Sequence, residues 1–209
     1  MGRGVKVRNR YGPYEGAQHV GGVTYDGTVL WAACGDELRA LDPDSGEEIR
    51  RLRVPAGAGT AFDGRHLYQV GSEQIQKIDP HTGEVVLSYP VPAGGVATGL
   101  TWAEGSLWLG RFRGGTILQL DAETGAVVRT INAPEFVTGV TWAEDGLWHA
   151  VDPPDQPPAL RRIDAESGEL LESFELDSVP VTGLASVEGR FYCGGGADKQ
   201  VRELVLDKG

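Results

Sequence analysis

GLTWAEGSLWLGRFRGGTILQLDAETGAVVRTI, residues 99–131, and GVTWAEDGLWHAVDPPDQPPALRRIDAESGELLESF, residues 139–174, are two copies of one repeating unit. Residues 22–52 and 59–89 match them, and residues 183–206 form a shorter fifth copy. The copies begin at spacings of 37, 40, 40 and 44 residues, at Gly22, Gly59, Gly99, Gly139 and Gly183. A period near 40 residues with strand-like content is typical of a β-propeller.

Each copy is predicted to contain four short strands, and no segment shows a sustained helical period. The first strand carries an aromatic residue three positions after the leading glycine in four copies: Tyr25, Phe62, Trp102 and Trp142. The second strand carries another in all five: Trp31, Tyr68, Trp108, Trp148 and Tyr192. The third strand ends in aspartate before a tight Ser/Thr-Gly turn, where glycine supplies the positive φ of a hairpin. The repeated aromatic positions indicate packing between neighbouring sheets.

The fifth copy stops after its third strand, whereas residues 5–9 precede the first copy and have strand character. We therefore predict an all-β, five-bladed β-propeller with four antiparallel strands per blade, in which the N-terminal strand completes the last blade. Residues 1–209 form one domain, and residues 1–21 close the ring, which leaves no open edge between first and last blades. The alternative is a five-blade arc that a partner closes. A ring closed within the chain needs no partner, which predicts a monomer.

The composition narrows the function classes. There are 19 Lys and Arg against 30 Asp and Glu, a formal net charge of −11, and such an acidic surface repels nucleic-acid phosphates and anionic lipids. No apolar run approaches the ~20 residues of a membrane helix, and the N-terminus has no apolar signal region. Cys34 and Cys193 form no disulfide framework. These features predict an acidic cytoplasmic protein with free thiols, no nucleic-acid partner and no membrane association.

A ligand site is expected on the face where two sets of loops open beside the central channel. Thr98, Thr138 and Thr182 each precede a leading glycine and are expected to ring the channel mouth. The alternative for these hydroxyls is hydrogen bonding to backbone or channel water. His19 and Glu15 lie on the first of these loops, and a histidine there is a candidate general base.

The blade-four loop, residues 152–158, is the longest departure from the repeat and is restrained by prolines. His149 leads into it, and Asp152 begins it. On the equivalent blade-three loop, Arg111 and Arg113 are candidates to hold a carboxylate or phosphate, the alternative being ion pairs with nearby acids. The remaining candidates are the polar residues Glu135 and Lys199 and the wall residues Phe136, Trp102 and Trp142.

No metal-ligand spacing is present, since the four histidines fall at non-equivalent blade positions. The Gly-x-Ser-x-Gly, phosphate-loop and Cys-x-x-Cys motifs are absent as well. We therefore expect neither a metal nor a cofactor.

Several segments resemble the glutamine cyclotransferase-like group of five-bladed propellers over nearly the whole chain. They are Gly-Leu-Thr-Trp at 99–102, Leu-Asp-x-x-Thr-Gly at 120–125, Leu-Tyr-Gln at 67–69 and Gly-Leu-Ala at 183–185. The resemblance implies the fold and, if it extends to activity, cyclisation of an N-terminal glutamine with loss of ammonia.

The chain departs from this family where the family's polar residues cluster. Gly21 stands where the family has glutamine, Ala58 where it has glutamate, and Thr138 and Thr182 near positions of asparagine, while Lys199 is only near the family's blade-five lysine. The loss of a carboxylate at position 58 removes a proton-transfer group that amide cyclisation needs.

Three functional interpretations follow. The first is a loop-face site for a small polar ligand, with His149, Glu135 and Asp152 as candidate catalytic groups for cofactor-free acid–base chemistry. This interpretation expects Arg111, His149 and Asp152 in one pocket. The second is a non-catalytic propeller that binds another protein through its rim, and the third is a glutaminyl-peptide cyclotransferase.

Overall fold

The computed structural model describes residues 4–133, 136–144, 146–176 and 180–207. All regular structure in this part of the chain is β-strand, twenty strands in all. An N-terminal strand, β1 (Gly4–Tyr11), is followed by five groups, each built of consecutive antiparallel strands. We call these groups sets and number them along the chain.

Sets 1 to 3 are separate four-stranded sheets. Set 1 contains β2 (Gly22–Tyr25), β3 (Leu30–Ala33), β4 (Leu38–Leu41) and β5 (Glu48–Leu52). Set 2 contains β6 (Thr60–Phe62), β7 (Leu67–Gly71), β8 (Gln74–Ile78) and β9 (Val85–Pro90). Set 3 contains β10 (Ala97–Ala103), β11 (Ser106–Arg111), β12 (Thr116–Leu120) and β13 (Val127–Asn132). These boundaries follow the predicted four strands per copy.

Sets 4 and 5 join into one eight-stranded sheet. Set 4 contains β14 (Val137–Ala143), β15 (Gly146–Val151), β16 (Ala159–Ile163) and β17 (Leu170–Leu176). Set 5 contains β18 (Thr182–Val187), β19 (Arg190–Gly194) and β20 (Val201–Asp207), with β1 as its fourth strand. The join is a short parallel pairing of β1 with β17, at Gly4–Glu175 and Val5–Leu176 only.

The N-terminal strand completes set 5, as predicted. β1 pairs antiparallel with β20 from Gly4–Asp207 to Tyr11–Val201, with a bulge between Val7 and Asn9. Glu203 of β20 is almost fully buried and accepts hydrogen bonds from Asn9 at 2.6 Å and from Arg8 at 3.4 Å. The two ends of the chain are thus fastened together by a ladder and a buried carboxylate.

The innermost strands of the sets follow one another in a closed ring, and the leading glycines are the points of closest approach. A Cβ atom on Gly22 would lie 3.0 Å from Cα of Gly59, and one on Gly59 would lie 2.3 Å from N of Leu100. A Cβ atom on Gly99 would lie 2.3 Å from N of Val140, and one on Gly139 would lie 2.8 Å from the carbonyl carbon of Gly183. A Cβ atom on Gly183 would lie 2.5 Å from Cα of Gly22. Only a residue without a side chain allows backbones to come this close. The sets therefore surround a common channel as in a β-propeller.

The hydrophobic core is divided into five clusters, each between two neighbouring sets. The repeated second-strand aromatics lie in these layers and are fully buried: Trp31, Tyr68, Trp108, Trp148 and Tyr192. Trp148, for example, packs against Phe191 of set 5, with ring centroids 5.0 Å apart. The prediction that the aromatics form the packing between sheets is confirmed.

The hairpins joining third and fourth strands share one hydrogen-bond pattern at Asp42, Asp79, Asp121 and Asp164. The Asp42 carboxylate accepts hydrogen bonds from the backbone N–H groups of Asp44 and Ser45 and from the Ser45 hydroxyl. Gly46 follows with φ of 72°, in the left-handed region that the turn requires. These hydrogen bonds hold the pKa of the Asp42 carboxyl below its usual value.

Candidate functional site

The inner strands begin at one end of the channel, and a cavity of about 360 Å³ opens there. We call it the mouth cavity. Its polar and aromatic lining residues come from three different sets and the N-terminal segment: His19, Thr98, Phe112, Thr138, Asp152 and Thr182. The structure thus brings together five residues that the sequence marked as site candidates, together with Phe112.

The three threonines of the mouth cavity differ in their hydrogen bonds. Thr98 donates to the carbonyl oxygen of Val137 at 2.8 Å, and Thr182 donates to that of Val20 at 2.5 Å, so both hydroxyls tie one set to the next. The Thr138 residue is only 9% exposed, and its hydroxyl has no hydrogen-bond partner among the described residues. A buried hydroxyl without a partner is costly.

His19 contributes a nitrogen base to the mouth cavity. Its Nε2 lies 2.9 Å from the carbonyl oxygen of Gly57. Because a carbonyl can only accept, Nε2 carries the proton in this contact and Nδ1 keeps its lone pair when the ring is neutral. The ring is held by the loop before set 2, and Nδ1 can accept a proton or a hydrogen bond.

Asp152 and Phe112 define another side of the same mouth, whereas Phe136, a predicted wall residue, is not among its lining residues. The backbone N–H of Asp152 donates to the carbonyl oxygen of Phe136 at 3.2 Å, and this contact joins the long set 4 loop to the start of β14. The rings of Phe112 and Phe136 are in tilted contact with centroids 5.0 Å apart. The Asp152 side chain is exposed. The mouth cavity therefore has a carboxylate beside an aromatic wall.

Arg111 does not line the mouth cavity, so it does not fit the prediction of a ligand contact there. Its guanidinium is buried and donates to the carbonyl oxygens of Pro92, at 2.8 Å, and Ala93. Burial lowers the pKa of this guanidinium. Among the described residues it has no carboxylate partner. Arg111 therefore holds the loop that leads into β10.

Two other buried arginines make the same kind of contact in their own sets. Arg39 donates to the carbonyl oxygen of Glu15 at 2.8 Å, and Arg202 donates to that of Pro180 at 3.0 Å. Each of these carbonyls lies in the loop before an inner strand, so the three arginines fix the backbone around the mouth. The backbone of Glu15 is thus an anchoring point, and its side chain does not line the mouth cavity.

His149 lies in the core and outside the mouth cavity. It follows Trp148 on β15, and because successive residues of a strand point to opposite faces, its ring turns toward set 3 while Trp148 packs against set 5. The residue is 1% exposed, and neither ring nitrogen has a partner among the described residues. Burial, and secondarily the charge of Arg161, lowers its pKa from 6.5 to about 3. The expectation that Arg111, His149 and Asp152 share one pocket is wrong.

The buried His149 predicts a pH dependence of stability. Below pH 6.5 the unfolded chain binds a proton at this residue, whereas the folded chain does not until about pH 3. The free energy of unfolding therefore decreases by about 1.4 kcal/mol for each unit by which the pH is lowered in this window. His149→Leu, which copies Leu109 of set 3, is expected to flatten the urea midpoints between pH 5 and 7.5. Equal slopes for His149→Leu and wild type would contradict the assignment.

Trp102 and Trp142 lie at the opposite end of the channel. They are the penultimate residues of β10 and β14, whereas Thr98 and Thr138 stand near the starts of these strands. A separate cavity of about 110 Å³ there is lined by the two indoles and by Thr24, Thr101 and Thr141. The predicted role of the tryptophans as walls of the loop-face site is therefore wrong, because the strand carries them through the channel to its far end.

The other predicted site residues fall outside the mouth cavity or outside the described residues. Arg113 and Lys199 are not among its lining residues. The carbonyl of Lys199 instead accepts a hydrogen bond from the N–H of Tyr14 at 3.0 Å. Glu135, predicted as a catalytic group, lies outside the described residues.

The sequence did not predict a second, larger cavity of about 620 Å³ beside the mouth, which we call the side cavity. It lies between sets 2 and 3 and shares Gly57, Ala58, Val96 and Ala97 with the mouth cavity. The hairpin between β7 and β8 consists of only two residues, Ser72 and Glu73, both with positive φ. The equivalent loops of the other sets are longer and fill the corresponding space. A comparison of these loop lengths in the sequence could have predicted the side cavity.

Metal-ligand clusters and membrane-spanning helices are both absent from the described residues. Three or more His, Cys, Asp or Glu side chains placed to hold a metal ion do not occur in residues 4–133, 136–144, 146–176 or 180–207. Within the same part of the chain, no helix has the length and apolar character needed to cross a membrane.

Known structures share this architecture. The glutaminyl cyclase of Myxococcus xanthus superposes with a TM-score of 0.81 at 17% identity, covering 98% of this chain and 97% of that chain. Hydrazine synthase of Kuenenia stuttgartiensis gives a TM-score of 0.58 at 17% identity over 85% of this chain and 56% of that chain. A chain of the mitotic checkpoint complex gives 0.57 at 18% identity over 88% and 63%. The resemblance to glutamine cyclotransferase-like propellers is thereby confirmed at the level of the fold.

The sequence itself matches one family model, described as outer membrane protein assembly factor BamB, over residues 35–162. A search of curated proteins gave no match. The model covers more than half of the chain and spans four of the five repeat copies in whole or in part. The chain therefore belongs to the family described as outer membrane protein assembly factor BamB.

Proposed function

We propose that this protein binds a small polar ligand in the mouth cavity. The observation that carries the proposal is the convergence of His19, Thr138 and Asp152 on one cavity. The Thr138 hydroxyl is buried and has no partner among the described residues. An apolar wall with a few converging polar groups is the usual construction of a small-molecule site. The volume of about 360 Å³ suits a compact molecule.

We further infer that the ring has five blades, one for each set, and that β1 is the outer strand of the fifth. The closed cycle of leading glycines supports this count, as do the five interleaved hydrophobic clusters. In this arrangement the parallel pairing of β1 with β17 is a local contact between adjacent blades, since it joins only two residue pairs. Ring closure within the chain gives the mouth cavity walls from every side.

The chemistry available at the mouth is acid–base chemistry. His19 offers Nδ1 as an acceptor, and Asp152 offers a carboxylate on the opposite loop. Neither group requires a cofactor to move a proton. We place any proton transfer at these two residues rather than at His149, because its ring is shielded from the cavity.

A second candidate function is supported by the outer strands. Apolar residues are exposed at equivalent positions of several sets, among them Val86 at 50%, Val128 at 62% and Leu171 at 50%. In this candidate function, these exposed apolar residues contact the partner protein. The family description as an assembly factor agrees with this alternative, in which the rim and not the mouth carries the function.

A thermal-shift screen against polar metabolites tests the ligand proposal. A ligand at 100 times its dissociation constant raises the free energy of unfolding by about 2.7 kcal/mol. Thr138→Val and Asp152→Asn are expected to weaken such a hit at least tenfold, which removes about 1.4 kcal/mol of it. Thr141→Val is the matched control, because it makes the same change on β14 at the far end of the channel.

The outcome decides between the two candidates. A hit that Thr141→Val preserves and Thr138→Val weakens supports the mouth cavity. The ligand proposal would be contradicted if Thr138→Val, Asp152→Asn and Thr141→Val all bind the ligand equally well, or if no metabolite binds. Either result would favour the protein-binding alternative.

A further inference from the structure

The mouth cavity and the side cavity lie side by side, and we call the two together the recess. They adjoin across four shared residues, Gly57, Ala58, Val96 and Ala97, whose side chains are small or aliphatic. Their volumes are about 360 and 620 Å³, so together they exceed what a compact polar molecule at the mouth would fill. A longer ligand can therefore run from the channel mouth over this aliphatic ridge into the side cavity.

The charged side chains that line this recess are mostly acidic. Asp152 lines the mouth cavity and Glu73 lines the side cavity, one carboxylate at each. His19 is the other ionisable lining residue. No lysine or arginine is among the described residues that line either cavity, but Arg111 lies behind the wall of the side cavity, where it donates to the carbonyl oxygens of Pro92 and Ala93. The whole chain carries a formal net charge of −11, which attracts cations toward such a recess.

Glu73 is held at the rim of the side cavity by an unusual backbone conformation. Ser72 and Glu73 have φ values of 51° and 62°, in a two-residue hairpin where Asn-Gly is the preferred sequence. The carbonyl of Glu73 accepts a hydrogen bond from the N–H of Val91 at 2.9 Å, which fastens the hairpin to the opposite wall. The turn therefore presents a carboxylate at a position where glycine would be easier for the backbone.

The mouth cavity also has an uncharged hydrogen-bonding group in its wall. The Thr138 hydroxyl, nine-tenths buried and without a partner among the described residues, accepts as well as donates a hydrogen bond. An ammonium group has three N–H donors and no acceptor, so it is suited to a mouth where the Asp152 carboxylate and Nδ1 of His19 are acceptors. The acceptors at the mouth match such a group better than they match an anion.

We propose that the recess binds a linear aliphatic diamine, with one ammonium group at Asp152 in the mouth cavity and the other at Glu73 in the side cavity. The methylene chain lies on Ala58, Val96 and Ala97. This inference rests on the proposed function, since it names the class of ligand for the same mouth. It adds the side cavity as the second half of the site.

Isothermal titration with three probes of equal length tests the inference: 1,5-diaminopentane, 1,5-pentanediol and pentanedioate. The diamine is expected to bind at least tenfold more tightly than the diol, and the dicarboxylate more weakly than both. Raising the salt concentration from 50 to 500 mM should weaken the diamine and leave the diol unchanged, because salt screens exposed charges.

Charge-neutral variants locate the two ends of the ligand. Asp152→Asn and Glu73→Gln are each expected to weaken the diamine five- to tenfold. Glu73→Gln should leave pentylamine, which has only one ammonium group, unaffected. Glu104→Gln is the matched control, since Glu104 also has positive φ, at 51°, but lies in the β10–β11 hairpin away from the recess.

The outcomes separate the inference from the proposed function. If the diol or the dicarboxylate binds more tightly than the diamine, and Thr138→Val abolishes that binding, the diamine inference is overturned. The ligand site at the mouth would then still stand. Diamine binding that neither carboxylate variant changes would also overturn the inference, as would no binding of the diamine. Selective loss in Asp152→Asn and Glu73→Gln supports it.

Discussion

Gly59→Ala is expected to lower the free energy of unfolding by about 3 kcal/mol or more, whereas Gly57→Ala, two residues away, is expected to leave it nearly unchanged. A Cβ atom on Gly59 would lie 2.3 Å from N of Leu100 and 2.6 Å from C of Gly99, and both are backbone atoms that cannot rotate away. The inner strands would have to separate, which opens the packed ring. A Cβ atom on Gly57 meets nothing within 4 Å.

Urea unfolding of the two variants measures this difference directly. For a domain of this size, about 3 kcal/mol corresponds to a fall in melting temperature of roughly 6–12 °C. Similar losses in both variants, or none in Gly59→Ala, would mean that the inner strands do not meet at their leading glycines.

Tyr11→Ala is expected to destabilise the fold by about 3–5 kcal/mol, the usual cost of removing a large buried aromatic side chain. Tyr11 belongs to β1, but its hydroxyl donates to the carbonyl oxygen of Pro43 in set 1 at 3.1 Å, and its ring stacks on Tyr192 at 6.5 Å. It also lies against Gly46 of the set 1 hairpin. One side chain thus packs across the junction of the last and first sets.

Tyr11→Phe is the matched variant, since it keeps the ring and removes only the hydroxyl. Its expected loss is about 1 kcal/mol, the typical net value of one hydrogen bond. Denaturant unfolding of both variants separates packing from hydrogen bonding. If Tyr11→Ala unfolds like wild type, the ring does not depend on its N-terminal closure.

The repeat predicted the fold in detail because one local requirement recurs in all five copies and another in the four complete ones. The leading glycine is needed where backbones of neighbouring sets touch, and the Ser/Thr-Gly turn is needed where third and fourth strands reverse. The missing fourth strand of the last copy likewise identified β1 as its replacement. Each of these features is fixed by backbone geometry and leaves a visible mark in the residue pattern.

The candidate site was predicted less well, for reasons that concern side-chain direction. Position in the repeat correctly placed Thr98, Thr138 and Thr182 at the mouth, because they stand next to the glycine ring. It failed for His149, since both faces of a second strand are covered by neighbouring sets and neither faces the channel. It failed for Arg111 because a long side chain can turn back to the carbonyls of Pro92 and Ala93.

The larger cavity does not lie at the longest loop. Residues 152–158 are the greatest excursion from the repeat, and Asp152 does line the mouth. The side cavity, however, lies beside the shortest of the loops between second and third strands, at Ser72 and Glu73. In a ring of similar units, space opens where one unit is shorter than its neighbours, so a short loop is as informative as a long one.

Methyl NMR of threonine-labelled protein, titrated with a ligand from the screen, tests the mouth site most directly. The channel has threonines at both ends: Thr98, Thr138 and Thr182 at the mouth, and Thr24, Thr101 and Thr141 at the far end. The account predicts saturable shifts of the first three methyl signals and unchanged positions of the other three. Shifts confined to the far-end methyls, or to none of the six, would contradict a ligand site at the channel mouth.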